Sequence, residues 1–218
     1  MKNTICLILL LLISGSSTFG QNIYGQFNFY SKIRLSQDDY LINQFLKPEL
    51  EIKSVSFIPS MVSLECFINN YSLELGLGVS MSRLVRDGYG YGWTGTIGTL
   101  DFKYNIDRAD ISLGVSVAYE RVSLAVFSNN TAIDLASGFQ SSLVQLENSF
   151  LFLGPVINYQ FAGIGKHKNI FTFGYLIGIN SSDWSSSYTN LSHPLREIAN
   201  NHFYAGVGLP IGVVGKSK

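Results

Sequence analysis

Residues 71–81, Tyr-Ser-Leu-Glu-Leu-Gly-Leu-Gly-Val-Ser-Met, alternate without a break. Tyr71, Leu73, Leu75, Leu77, Val79 and Met81 are apolar, whereas Ser72, Glu74, Gly76, Gly78 and Ser80 are small or polar. A period of two places the sets on opposite faces of a β-strand. The polar set is too small and too hydrophilic to fill the core of a sandwich, while the other face is continuously apolar. That polarity suits a strand with lipid outside and a tight polar interior.

The pattern recurs along the chain. A first strand is predicted over residues 22–32, with Ile23, Gly25, Phe27 and Phe29 opposing Tyr24, Gln26 and Asn28. Residues 34–48 are polar and mixed and read as a long loop. A second strand over residues 50–68 changes phase twice, and Pro59, which has no N–H for the ladder, predicts a bulge. Asn69 and Asn70 form a two-residue turn into the strand at 71–81. Residues 86–93, Arg-Asp-Gly-Tyr-Gly-Tyr-Gly-Trp, read as a glycine–aromatic loop.

A fourth strand over residues 94–106 sets Leu100, Phe102, Tyr104 and Ile106 against Asp101, Lys103 and Asn105. A short turn at 107–109 leads to a fifth, where Ile111, Leu113, Val115, Val117 and Tyr119 oppose Ser112, Gly114, Ser116, Ala118 and Glu120. Residues 125–143 form a long loop. The sixth strand, 144–161, slips phase near residues 150–153, and Pro155 predicts a bulge. A turn at 163–168 precedes a seventh strand carrying Phe171, Phe173, Tyr175, Ile177 and Ile179 on one face. Residues 181–200 are another long polar loop. The eighth strand puts Phe203, Ala205, Val207, Leu209, Ile211 and Val213 outward.

Eight strands with alternating long and short connections predict an all-β, eight-stranded, antiparallel up-and-down transmembrane β-barrel, both termini on the short-turn, periplasmic side. Closure leaves no unpaired edge for lipid to meet. A soluble eight-stranded barrel would instead bury a large apolar interior. Tyr24, Tyr71, Tyr104, Tyr159, Phe161 and Phe171 cluster at the short-turn ends, where an interfacial aromatic belt belongs.

Residues 1–20 read as a cleaved secretory signal peptide, with Lys2, an apolar run at 5–13, and Thr18 and Gly20 before the cut. That run is shorter than a membrane-spanning helix requires. The barrel is then residues 21–218. Composition agrees: 14% charged residues against a usual ~25%, 21 glycines and 13% aromatics. Fifteen basic and fifteen acidic residues leave no electrostatic footprint for nucleic acid. Cys66 is the one cysteine after the signal, so no internal disulfide forms.

With its signal peptide, eight amphipathic strands and alternating loops, the chain resembles the small bacterial outer-membrane β-barrel proteins of Gram-negative cells, the outer membrane protein beta-barrel domain or porin-like family. The resemblance covers the whole mature chain and is architectural. It implies the outer membrane as location, membrane lipid and lipopolysaccharide as surroundings, and the barrel-assembly machinery as a partner. Such barrels often end on an aromatic residue, whereas this chain ends Val213-Val-Gly-Lys-Ser-Lys218.

The inward positions include Glu65, Glu74, Asp101, Lys103 and Glu120, a polar network that would plug so narrow a barrel. A narrow porin-like conducting path is the alternative. The resemblance also admits a lipid A-modifying acyl hydrolase or transferase, for which His193 and His202 near Ser192 and Glu197 are the candidate grouping; His167 sits between lysines in a predicted turn. Nothing in the spacing of these residues specifies a catalytic set, and no cofactor or metal motif is present. A third class is recognition through the loops, with Tyr89, Tyr91, Trp93 and Trp184 as candidate contacts.

Overall fold

The computed structural model describes residues 23–37, 41–45, 55–86, 89–106, 109–128, 144–161, 163, 168–186 and 195–214. Residues 1–20 of the expected signal peptide fall outside this set. The strands are β1 (Ile23–Ser36), β2 (Val55–Ile68), β3 (Tyr71–Arg86), β4 (Tyr89–Ile106), β5 (Ile111–Ser128), β6 (Val144–Phe161), β7 (Asn169–Gly178), β8 (Ser181–Asp183), β9 (Arg196–Ile198) and β10 (His202–Val214), with a 3-10 helix at Leu41–Phe45. Eight of them close into one antiparallel barrel in the order β1-β10-β7-β6-β5-β4-β3-β2, and β8 pairs with β9.

The side chains sort as the alternation requires. Leu77 is 68% exposed and Val115 50%, while Ser72, Glu74, Ser116 and Lys103 are buried. Asn69, in the two-residue turn, takes φ 53°, a left-handed conformation that asparagine tolerates. The register shifts between Phe57 and Ser60, the bulge expected at Pro59. A second shift, between Phe27 and Asn28, lies opposite Ile211 next to Pro210.

Several expectations are corrected. Arg86 and residues 89–93 are strand rather than loop. Arg86 pairs with Tyr89, and β4 runs through Tyr91 and Trp93. β1 continues to Ser36, so Arg34 lies in a strand, and β5 continues to Ser128. β6 keeps its phase, with Asn148, Phe150, Phe152, Val156 and Asn158 all buried. No register shift occurs at Pro155. The β5–β6 ladder passes straight through it, and the β6–β7 ladder skips Gly154 and Pro155 without changing register. The stretch 181–200 contains the β8–β9 hairpin. Tyr24 leaves the outer belt and stacks on Phe67, ring centroids 4.5 Å apart.

The corrections at the long-loop ends share one cause: the strands outrun the bilayer. About 9–11 tilted residues cross the hydrocarbon, yet β4, β5 and β6 each have 18. Along β5 the phase never changes, but the polarity does. Ile111, Leu113, Val115, Val117 and Tyr119 are the outward residues, and then Arg121 and Ser123 take their place. On the inner face Ser112, Ser116 and Glu120 give way to Val122 and Leu124, which are buried. β6 reverses likewise, from outward Leu153 and Ile157 to Ser149 and Glu147. On β4 outward Leu100 and Phe102 yield to Thr94 and Thr96, with Trp93 and Tyr91 inside.

Candidate functional site

Above the reversal, the extended wall of β4–β6 carries an apolar inner face that water would otherwise wet. The β8–β9 hairpin covers it. Glu147 and Ser185 exchange backbone hydrogen bonds of 2.7 and 3.0 Å, and Asn148 Nδ2 donates to Ser182 O at 3.2 Å. Trp184 thereby meets Trp93 and Phe150 at 5.9 and 6.5 Å between centroids, both edge-on. Trp93 and Phe150 lie parallel at 6.4 Å. Glu197 ties in the 3-10 helix. Its carboxylate accepts Leu41 N at 2.7 Å, Ile42 N at 3.0 Å and Trp184 Nε1 at 3.2 Å. We call this assembly the cap.

Below it, the lumen is packed in tiers. Arg34 forms a bidentate pair with Glu120, Nη1 to Oε2 at 2.5 Å and Nη2 to Oε1 at 3.2 Å, and donates from Nε to Ser56 Oγ at 2.8 Å. Ser80 also donates to Glu120. Next, Lys32 Nζ stands 5.0 Å from the Tyr30 ring centre and 4.9 Å from that of Tyr204. These rings fit because glycines face them. A Cβ on Gly174 would overlap the Tyr204 ring, and one on Gly208 the Tyr30 ring.

The tier nearest the short turns centres on Lys103, which is 0% exposed. Its Nζ lies 2.7 Å from Glu65 Oε1 and 2.6 Å from Glu74 Oε2. With the Asn158 amide oriented to accept, its oxygen takes the third ammonium proton at 3.0 Å. Ser72 donates to Glu65 at 2.7 Å, Ser63 to Glu74, and Ser116 to Asp101 at 2.5 Å. Asn28 Nδ2 reaches Glu65 and Glu74 at 3.4 Å. A buried charge is tolerable when it is paired and its remaining lone pairs or protons are satisfied, and this lattice supplies both.

Of the residues singled out from sequence, Glu65, Glu74 and Lys103 come together directly. Asp101 adjoins them through the β3–β4 register, opposite Glu74, and Glu120 sits a tier higher with Arg34. Lys32 and Arg34 are buried cations that sequence reading missed. Lys32 closed the predicted first strand and Arg34 fell beyond it, although both continue the even-numbered inward series of β1. Tyr91, Trp93 and Trp184 are 1%, 2% and 1% exposed. They build the cap's core rather than an open contact surface; the side chain of Tyr89 lies outside the described set. Ser192, His193 and His167 also lie outside it. His202 is buried edge-on to Phe152 at 4.8 Å, its Nδ1 3.2 Å from Asn200 O. Glu197 is committed to the cap, so the two make no acid–base pair. Among the described residues no group of three or more metal-ligating side chains forms.

A continuous apolar exterior around a polar, charged lumen defines a transmembrane β-barrel of the small, eight-stranded outer-membrane type. No protein-family model and no curated protein matches the chain. Solved structures similar to it include the attachment invasion locus protein Ail of Yersinia pestis in complex with the heparin analogue sucrose octasulfate. It is 11% identical over 86% of this chain and 99% of that one, with a TM-score of 0.45. Others are a major outer membrane protein of Thermus thermophilus (10%, 84% and 98%, 0.48) and Neisserial surface protein A (10%, 86% and 96%, 0.41).

Proposed function

We propose that this chain is a non-enzymatic integral outer-membrane protein. It is exported by its first 20 residues, inserted by the barrel-assembly machinery and surrounded by membrane lipid, including lipopolysaccharide. Its barrel is a closed post, and its role lies in what the cap and the loops that rise from it present outside the cell. The observation that carries this reading is the filled lumen. From Arg34–Glu120 down through Lys32 to Lys103–Glu65–Glu74, side chains bond across the barrel. A void between these tiers, lined by Lys32, Met61, Thr99, His202 and Tyr204 among others, measures about 10 Å³, room for a single water.

That packing speaks against a porin-like path. The acyl-transfer alternative loses support because His202 packs edge-on to Phe152 and the Glu197 carboxylate is taken up by three hydrogen bonds within the cap. Single-channel recording of the refolded mature chain in a planar bilayer tests the reading. Silence is expected, and steady unitary conductance would overturn it. An altered lipid A acylation pattern in expressing cells, abolished by replacing His193 and His202 with alanine, would restore the enzyme alternative.

A further inference from the structure

Below the cap the described lumen buries four carboxylates, Glu65, Glu74, Asp101 and Glu120, and three cations, Lys32, Arg34 and Lys103. Arg34 pairs with Glu120, and Lys103 with Glu65 and Glu74. Lys32 and Asp101 are left over. Among the described residues neither forms a direct salt bridge, yet each is the strongest electrostatic partner of the other. A buried pair of charges is tolerable only when its remaining protons and lone pairs are satisfied.

The Tyr30 and Tyr204 rings flank the Lys32 ammonium. An ammonium has three protons to donate, and among the described residues no oxygen or nitrogen accepts one from Lys32 Nζ. What adjoins it is the void of about 10 Å³, lined also by Thr99, Ser116 and His202. Ser116 commits its own proton to Asp101 Oδ1 at 2.5 Å, so its lone pairs remain to accept. The buried Thr99 hydroxyl likewise has no hydrogen-bond partner among the described residues.

We infer that this void is a binding site for one water molecule that completes a Lys32–Asp101 ion pair. The water accepts from Lys32 Nζ and donates to Thr99 Oγ1 and Ser116 Oγ, and Ser116 carries the connection on to Asp101. The inference rests on the filled-lumen reading above. A buried water needs about 10–15 Å³ and two to four polar partners, and this site offers the volume and three partners. Polarity selects the occupant. A halide would set a second negative charge beside Asp101, and a metal ion a second positive one beside Lys32. A neutral molecule that both accepts and donates matches one ammonium and two hydroxyl oxygens, and a water bridge is nearly as favourable as a direct hydrogen bond.

The test is a high-resolution crystal structure of the full mature chain, grown with and without bromide. Unfolding of Lys32→Met, Asp101→Asn and the double variant in lipid vesicles is measured alongside. The site predicts one density peak within hydrogen-bond distance of Lys32 Nζ, Thr99 Oγ1 and Ser116 Oγ, with no anomalous signal from bromide. The double variant should lose at least about fivefold less in its unfolding equilibrium constant than the two single losses combined. An anomalous bromide peak, a dry void, direct contact between Lys32 and Asp101, or fully independent losses in the variants would overturn it. If the variants do not fold, the wild-type density decides alone. A continuous file of waters reaching both mouths, with steady conductance, fails the closed-post reading and this site with it; a dry void in a silent barrel fails this site only.

Discussion

The barrel and its cap are made from the same strands by opposite rules. In the barrel, apolar side chains face out and charges face in; in the cap, Arg121, Ser123, Glu147 and Ser149 face out while Trp93, Leu124, Phe150 and Trp184 face in. The backbone phase is identical on both sides of the change. What differs is the solvent. Lipid offers no hydrophobic gain for burying leucine, so the membrane portion is held by a closed hydrogen-bond ladder and by polar tiers inside. Water restores that gain above the belt, and an ordinary aromatic core forms. The reversal between Tyr119 and Arg121 on β5 marks the bilayer's outer edge.

The two regions should therefore break in different ways. The largest effect is expected from Lys103→Met, which leaves Glu65 and Glu74 buried with no ammonium between them. Removing one partner of such a buried pair costs about 3–5 kcal/mol. Urea unfolding in lipid vesicles, followed by heat-modifiable mobility, should show the whole barrel destabilised, because the tier joins β2, β3 and β4. Trp93→Ala is of similar size locally, about 3–5 kcal/mol for a buried aromatic ring, but confined to the cap. Limited proteolysis within residues 181–200 should accelerate while heat-modifiable mobility is retained. If Trp93→Ala abolished barrel folding, the two regions would not be separable.

A charge on the outer surface separates them more finely. Leu75→Arg, in mid-belt, should cost about 2–4 kcal/mol. Ser123→Arg, on the same kind of outward position above the reversal, should stay within about 0.5 kcal/mol. Comparable penalties at both positions would erase the boundary.

The sequence made the eight strands legible because their period of two is strict, and it made Glu65, Glu74, Asp101, Lys103 and Glu120 legible because they share the small-residue face. Strand ends were not. Where Leu100 gives way to Thr96 and Thr94, alternation between an apolar and a polar face persists with the faces exchanged, and a rule tuned to lipid-facing rows reads that as a loop. Hence Tyr91 and Trp93 resembled recognition residues and β6 resembled a phase slip. Arg34 was hidden in the same manner, one inward step past Lys32 and beside loop-like neighbours. The keystone role of Glu197 depends on the 3-10 helix reaching it across 155 positions, which no local pattern records.

The central claim, that a polarity reversal along continuous strands places the outer edge of the bilayer, is tested most directly by a labelling-depth profile along β5. Single cysteines at Leu113, Val115, Val117, Tyr119, Arg121 and Ser123, with Cys66 replaced by alanine, would be reacted with a water-soluble maleimide and probed with a lipid-dissolved quencher. The account predicts protection from the maleimide and access to the quencher through Val117, an intermediate response at Tyr119, and free labelling at Arg121 and Ser123. Lipid protection at Ser123, or aqueous labelling at Val115, would contradict it.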